Sequence, residues 1–264
     1  MKLYHYTTID VLALILKHRT LRFNCLANVD DQDEAETSDF GSFKNYLFVS
    51  CWTEDNSENI SLWNMYSKNM EGVRIGIDSA KINFLPKERL QIPLYHLVDN
   101  VKPENSNSAF ILWLASNNLG SFDPKITVRY DLEDNYKFKL VVSDNYYRYN
   151  FIDLASRKRK EWFFQKEIRY VLFGASTKNL GNDYSHQSII NSITEKEELH
   201  CEFVDLLLND QFFENIEILM GPLCKESDKI ICESLLEQYV GKGQYSLRSS
   251  LLNIKNKGNI QKNG

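Results

Sequence analysis

Eleven glycines and five prolines in 264 residues leave little material for repeats, long linkers or low-complexity arms. No apolar run approaches the roughly eighteen residues of a membrane-crossing helix. The first six residues, Met1-Lys2-Leu3-Tyr4-His5-Tyr6, contain no apolar signal core. The expectation is a soluble, cytoplasmic protein with no membrane partner. Five cysteines (Cys25, Cys51, Cys201, Cys224, Cys232) form an odd, scattered set without a Cys-x-x-Cys pair. They read as reduced thiols packed in a core. A formal net charge of -5 supplies no general electrostatic footprint for nucleic acid.

Signature motifs are missing as well. Neither G-x-x-x-x-G-K-[ST] nor G-x-G-x-x-G occurs, so no glycine-rich loop cradles a phosphate. H-E-x-x-H is absent, and the five histidines are isolated from one another in sequence. The acidic run Asp30 to Glu36 lacks the glycine and distal glutamate of a calcium loop. No metal is therefore expected. No nucleophile elbow G-x-S-x-G appears, and Cys51, on an apolar strand, reads as a structural thiol.

What remains is a chain that is 43% hydrophobic, 12% aromatic and 25% charged, enough to build a sizeable core. One large α+β domain is expected over residues 1–252. Residues 180–200 read as an insertion or flexible connection, and residues 253–264 as a disordered tail. Strands are predicted at Leu3 to Tyr6, Leu21 to Phe23, Tyr46 to Trp52, Val73 to Asp78 (with one wetter face), Leu90 to Val98, Phe138 to Val142, Ile168 to Phe173, Ile216 to Met220 and Tyr245 to Arg248. Helices are predicted after Thr7 or Thr8, which can cap a run apolar nearly all round, and after Asn56 or Ser57 through Tyr66. Further helices are predicted at Ala109 to Asn117, Leu154 to Phe164 and Ser227 to Val240. The acidic stretch from Asp30 reads as a solvated loop or helix start. Many short strands with few helices between them point to a split, mixed, mainly antiparallel sheet flanked by helices.

Three segments carry polar groups where packing alone does not ask for them. Tyr4-His5-Tyr6-Thr7 ends the opening strand, where a histidine can equally bridge backbone groups. Ser50-Cys51-Trp52 precedes a helix on which Trp63 and Tyr66 share one face, an arrangement that also suits an aromatic core stripe. Gln165, Glu167 and Arg169 fall on one side at period two, as a site or as a salt bridge on a sheet face. Just before them, Arg157-Lys158-Arg159-Lys160 reads as a solvated helix face or as a phosphate holder.

Taken in order, these segments resemble the domain-of-unknown-function 2971 family of bacterial proteins. The matching stretches are Leu3 to Phe23, Leu62 to Asp78, Trp162 to Arg169 and Ile218 to Arg248. Gln165 replaces the family's usual glutamate, and its N-D-P-f-E motif is only loosely kept at Asn28 to Glu34. More distantly, the set resembles an ADP-ribosyltransferase-type NAD site. That resemblance implies an ADP-ribosyltransferase-like fold and the use of NAD to modify a macromolecular acceptor, protein or nucleic acid, in a phage-defence or toxin-type system.

It also implies roles. Glu167 would stabilise the oxocarbenium-like state of nicotinamide release, with Ser50 supporting it from the neighbouring strand. His5 would orient a ribose hydroxyl, and Gln165 would orient the acceptor. Tyr6, Trp63 or Tyr66 would stack on the nicotinamide ring. Arg169 would hold Glu167 ionised or reach a phosphate. Two other readings stay open: a metal-independent ribonuclease built on a histidine, a glutamate and an arginine, and a non-catalytic nucleotide-binding sensor.

Overall fold

A computed structural model describes residues 1–84, 96–97, 110–114, 125–131, 139, 151–176, 186–196, 199 and 201–254. In chain order the strands are β1 (Lys2–Thr7), β2 (Thr20–Cys25), β3 (Glu36–Thr37), β4 (Gly41–Ser42), β5 (Leu47–Thr53), β6 (Val73–Asp78), β7 (His96–Leu97), β8 (Phe110–Leu114), β9 (Lys125–Thr127), β10 (Arg129–Asp131), β11 (Arg157–Arg159), β12 (Glu167–Ser176), β13 (Phe203–Leu207), β14 (Ile216–Met220) and β15 (Tyr245–Ser249). The helices are α1 (Ile9–His18), α2 (Ile60–Tyr66), α3 (Phe151–Ser156), α4 (His186–Thr194) and α5 (Glu226–Tyr239). Most strand pairs are antiparallel; β14 with β15 and β10 with β11 are parallel. Among the described residues no helix is long and apolar enough to cross a membrane.

The chain divides into two compact units. The first comprises Met1–Thr20, Trp52–Phe84 and Leu208–Gly264. Its strands run in the order β15-β14-β6-β1, with β1 also paired to the end of β5 through Tyr4 and Thr53. Register sorts the side chains. Leu3 with Ile77, His5 with Ile75 and Ile218, and Thr7 with Val73 and Met220 share one face. Tyr4 with Gly76 and Glu217, and Tyr6 with Arg74 and Leu219, share the other. α1 and α5 pack together and bury Leu12, Ile15, Leu16, Cys232 and Leu236.

α1 starts where Thr8 accepts the Val11 amide at 3.2 Å and ends at Arg19 in the left-handed region. It is buried along one face only, with Leu14 exposed, so the run that is apolar nearly all round, and expected to be well buried, forms a half-wet helix. β6 departs from expectation the other way. All but Asp78 are buried, so it has no wetter face. α2 is capped by Asn59, which accepts from Ser61 and Leu62, beyond the predicted caps Asn56 and Ser57.

The second unit comprises Leu21–Cys51 and Leu85–Leu207. Its strands run β5-β12-β8-β7, with β9 on β12 and β13-β2 on β5. Here two sequence readings are corrected. Residues 110–114, read as helix, form β8 antiparallel to β12. A short apolar run fits either state, and pairing decides it. The helix predicted over 154–164 is three pieces: α3 ends at Ser156, β11 pairs with β10, and a 3-10 turn spans Lys160–Gln165. Within 180–200, α4 forms and buries Ser192 and Ile193. The strands predicted at 90–98 and 138–142 fall outside the described residues except at 96–97 and 139, and residues 255–264 also lie outside them.

Candidate functional site

The acidic run and the basic run, each read as solvated, meet in the second unit as one buried ionic cluster. Lys166 adopts φ 43 ψ 55 after the 3-10 turn and re-aims the chain, so β12 opens on Glu167. The hydroxyl of Tyr130 accepts the Glu167 amide at 2.8 Å and fixes that start. Arg169 grips the Glu167 carboxylate side-on, Nε to Oε1 at 2.7 Å and Nη2 to Oε2 at 3.1 Å. Its Nη1 donates to Glu34 Oε2 at 2.6 Å and to the Ala155 carbonyl at 3.1 Å. Lys158 Nζ reaches Gln165 Oε1 at 2.7 Å, Glu167 Oε2 at 3.2 Å and Glu34 Oε1 at 3.1 Å. At its edge Arg159 pairs with Asp31 at 2.8 Å and with Asp33 at 3.1 Å.

Burial makes this cluster costly unless it is complete. Glu34 and Arg169 are 0% exposed and Glu167 is 4% exposed, so two carboxylates and two cations cancel out of contact with water. Burial alone pushes the Glu167 carboxyl up. The charges of Arg169 and Lys158, with hydrogen bonds from Arg169 and Cys51, overcome that and hold it at about 2. Burial lowers the Lys158 and Arg169 values, but Glu167 and Glu34 raise both above the ordinary ones. The Cys51 thiol is pushed well up by burial and by the Glu167 charge, which makes it a poor nucleophile.

The residues singled out from sequence are thus brought together in groups. Gln165, Glu167 and Arg169 converge on one cluster, and Arg169 holds Glu167 ionised. Cys51 faces Glu167, while Ser50, the next residue on β5, points to the opposite side of the strand. In the first unit Tyr6 and Trp63 meet edge-to-face at 4.8 Å. Trp63 is fully buried, and Tyr66 on the same helix is 37% exposed. His5 is adjacent to Tyr6 on β1 and so faces the other side, with its ring 5.1 Å from that of Trp52.

Sequence reasoning missed Glu34, Lys158, Asp31 and Asp33. The available signal was the coexistence of an acidic run and a basic run, with Lys158 and Arg159 pairing to Glu34, Asp31 and Asp33. Arg157-Lys158-Arg159 is a strand, β11, and not a helix face. Lys158 is buried against glutamates, Arg159 is paired with aspartates, and Arg157 lies 3.7 Å from Asp153. Among the described residues no group of three or more His, Cys, Asp and Glu could hold a metal ion.

Fold and site define an α+β protein with a largely antiparallel sheet and a buried glutamate–arginine centre at the head of a strand. Residues 62–170 match the model of a family described as "Protein of unknown function (DUF2971)". No curated protein and no solved structure matches the chain.

Proposed function

We propose that this chain is an ADP-ribosyltransferase-like protein that takes NAD, with Glu167 as the carboxylate facing the nicotinamide ribose. The observation that carries the proposal is the convergence of Gln165 and Glu167 on Lys158 Nζ, with Glu167 held ionised by Arg169. Cleavage at the nicotinamide–ribose bond develops positive charge on the ribose. A carboxylate ionised throughout the physiological range stabilises it without first losing a proton. Gln165 supplies an amide that can orient an acceptor.

Both Glu167 oxygens are already engaged, one by Arg169 and the other by Arg169 and Lys158. Substrate must therefore displace Lys158 from Oε2, while the side-on arginine keeps the carboxylate aimed. The same engagement favours a second reading, an NAD or ADP-ribose binding module without turnover. The ribonuclease reading loses support because its phosphate-holding basic run is spent on acidic partners.

The test is incubation with NAD and candidate protein and nucleic-acid acceptors, following nicotinamide release and label transfer. Wild type is compared with Glu167→Gln shown to be folded by circular dichroism. The transferase reading expects release or transfer that falls at least about a hundredfold in Glu167→Gln, as for loss of one major electrostatic contact. Saturable NAD binding without release selects the module, and a folded wild type that neither binds nor consumes NAD defeats both.

A further inference from the structure

Arg74 is the buried cation that the ionic cluster does not explain. It sits on β6 in the first unit, 9% exposed, and among the described residues no carboxylate lies within ion-pair distance of it. Among the described residues every side-chain hydrogen bond it makes uses Nη1, which donates to the Asn56 carbonyl at 3.0 Å, the Ser57 carbonyl at 3.2 Å and the Tyr6 hydroxyl at 3.4 Å. The guanidinium lies over the Tyr4 ring at 4.4 Å, and that ring lies against Gly76. Half of the guanidinium therefore pins the 56–57 loop to the sheet. The other half, the Nε and Nη2 edge, makes no hydrogen bond among the described residues, although Nε is buried.

That edge has a definite chemistry in this chain. Arg22 presents Nε and Nη2 to both oxygens of Asp205, each at 2.9 Å, and Arg169 presents the same edge to Glu167. Side-on, an arginine matches two oxygens of one oxyanion. A buried donor without an acceptor is costly, so an unused edge held beside two tyrosines and two carbonyls is a place where a ligand's oxygens would supply the missing acceptors. Glu58, an acidic residue of the same loop, is already committed. It accepts from Trp63 Nε1 at 3.1 Å, Ser250 Oγ at 2.5 Å and the Leu251 amide at 3.4 Å.

A second cation stands in the same row. Leu219 pairs with Arg74 on one side and with Arg248 on the other, so Arg248 shares the face two strands away, roughly 10 Å from Arg74 at the backbone. Arg248 is exposed and forms no ion pair among the described residues. We propose that Arg74 and Arg248 form an oxyanion-binding site on this sheet face, with Arg74 receiving two oxygens through Nε and Nη2 and Arg248 screening the charge from the rim. Phosphate esters and carboxylates share that chemistry. The site lies within the first unit and holds whether or not the chain uses NAD.

The experiment follows the Arg74 Nε–H signal in 15N spectra of the full chain, titrated with inorganic pyrophosphate, with acetate and with sodium chloride of equal ionic strength. A saturable shift with pyrophosphate alone identifies a phosphate ligand, and one with acetate alone a carboxylate. Arg74→Lys keeps the charge and a donor for the loop carbonyls but loses the edge. It is expected to melt near wild type and to weaken binding about tenfold or more. Arg248→Gln is expected to weaken binding severalfold without changing the melt. No shift beyond the chloride control, or unchanged affinity in folded Arg74→Lys, overturns the proposal. An NAD titration run alongside separates the readings, because pyrophosphate binding without NAD binding keeps this site and removes the proposed function.

Discussion

Lys158 carries one positive charge between Glu34 and Glu167, and both cations and both glutamates of that cluster are buried. Removing one member leaves a charge without its partner in a medium that solvates it poorly. Lys158→Met is therefore expected to cost about 3–5 kcal/mol in urea unfolding. A cost below about 1 kcal/mol would mean that water or another cation reaches the glutamates. The pH dependence has a definite sign. Glu167 titrates at about 2 in the folded chain, below the ordinary 4.5. Its contribution is complete above about 4.5 and is lost as pH falls through about 2. Unfolding free energy measured from pH 6 down to pH 2 should drop more steeply in wild type than in Glu167→Gln. Parallel curves would show that Glu167 is not held ionised.

Of these residues, the sequence made Gln165, Glu167 and Arg169 legible because period two aligned them. Glu34 and Lys158 were hidden, because a charge run far from its partner in sequence looks solvated until the fold pairs it. Arg74 was hidden for another reason. An arginine alternating with valine and isoleucine looks like the wet side of a strand, and only register showed it lying between tyrosines.

At the scale of elements, legibility followed the strength of local signals. β1, β5, β12, β14, β15 and α5 were read nearly at their bounds, since apolar alternation and a capped amphipathic run leave few alternatives. β8 and β11 were misread because five- and three-residue segments take their state from a partner strand, not from propensity. The turn between α2 and β6 depends on contact that no propensity expresses. A Cβ on Gly72 would lie 2.2 Å from the Thr7 carbonyl oxygen, and one on Gly221 would lie 2.3 Å from that of Met70. Gly221 also donates its amide to the Gly72 carbonyl at 2.8 Å. Gly72→Ala and Gly221→Ala are each expected to destabilise by about 1–3 kcal/mol or more. An unchanged melting temperature in both would refute that close approach. Asn59→Ala removes an N-cap that accepts two amides and should cost about 1 kcal/mol, read by the same melt.

At the scale of the molecule, the mixed and largely antiparallel architecture was readable from many short strands separated by few helices. The division into two compact units was not, because both are assembled from discontinuous stretches of chain and no linker marks the boundary. β5 contributes Leu47–Cys51 to one unit and Trp52–Thr53 to the other. The sequence therefore shows an uninterrupted strand where the contacts change hands. The residues singled out from sequence divide likewise, with Gln165, Glu167 and Arg169 in one unit and His5, Tyr6, Trp63 and Tyr66 in the other.

The central claim is that this chain takes NAD at Glu167, and nicotinamide release tests it most directly. Wild type, Glu167→Gln and Lys158→Gln, each first shown to be folded, are incubated with NAD labelled in the nicotinamide ring. The account expects release by wild type, loss of at least about a hundredfold in Glu167→Gln, and retention in Lys158→Gln, which uncovers Oε2. Release that is equal in wild type and folded Glu167→Gln, or NAD that is neither bound nor cleaved by wild type, would contradict it.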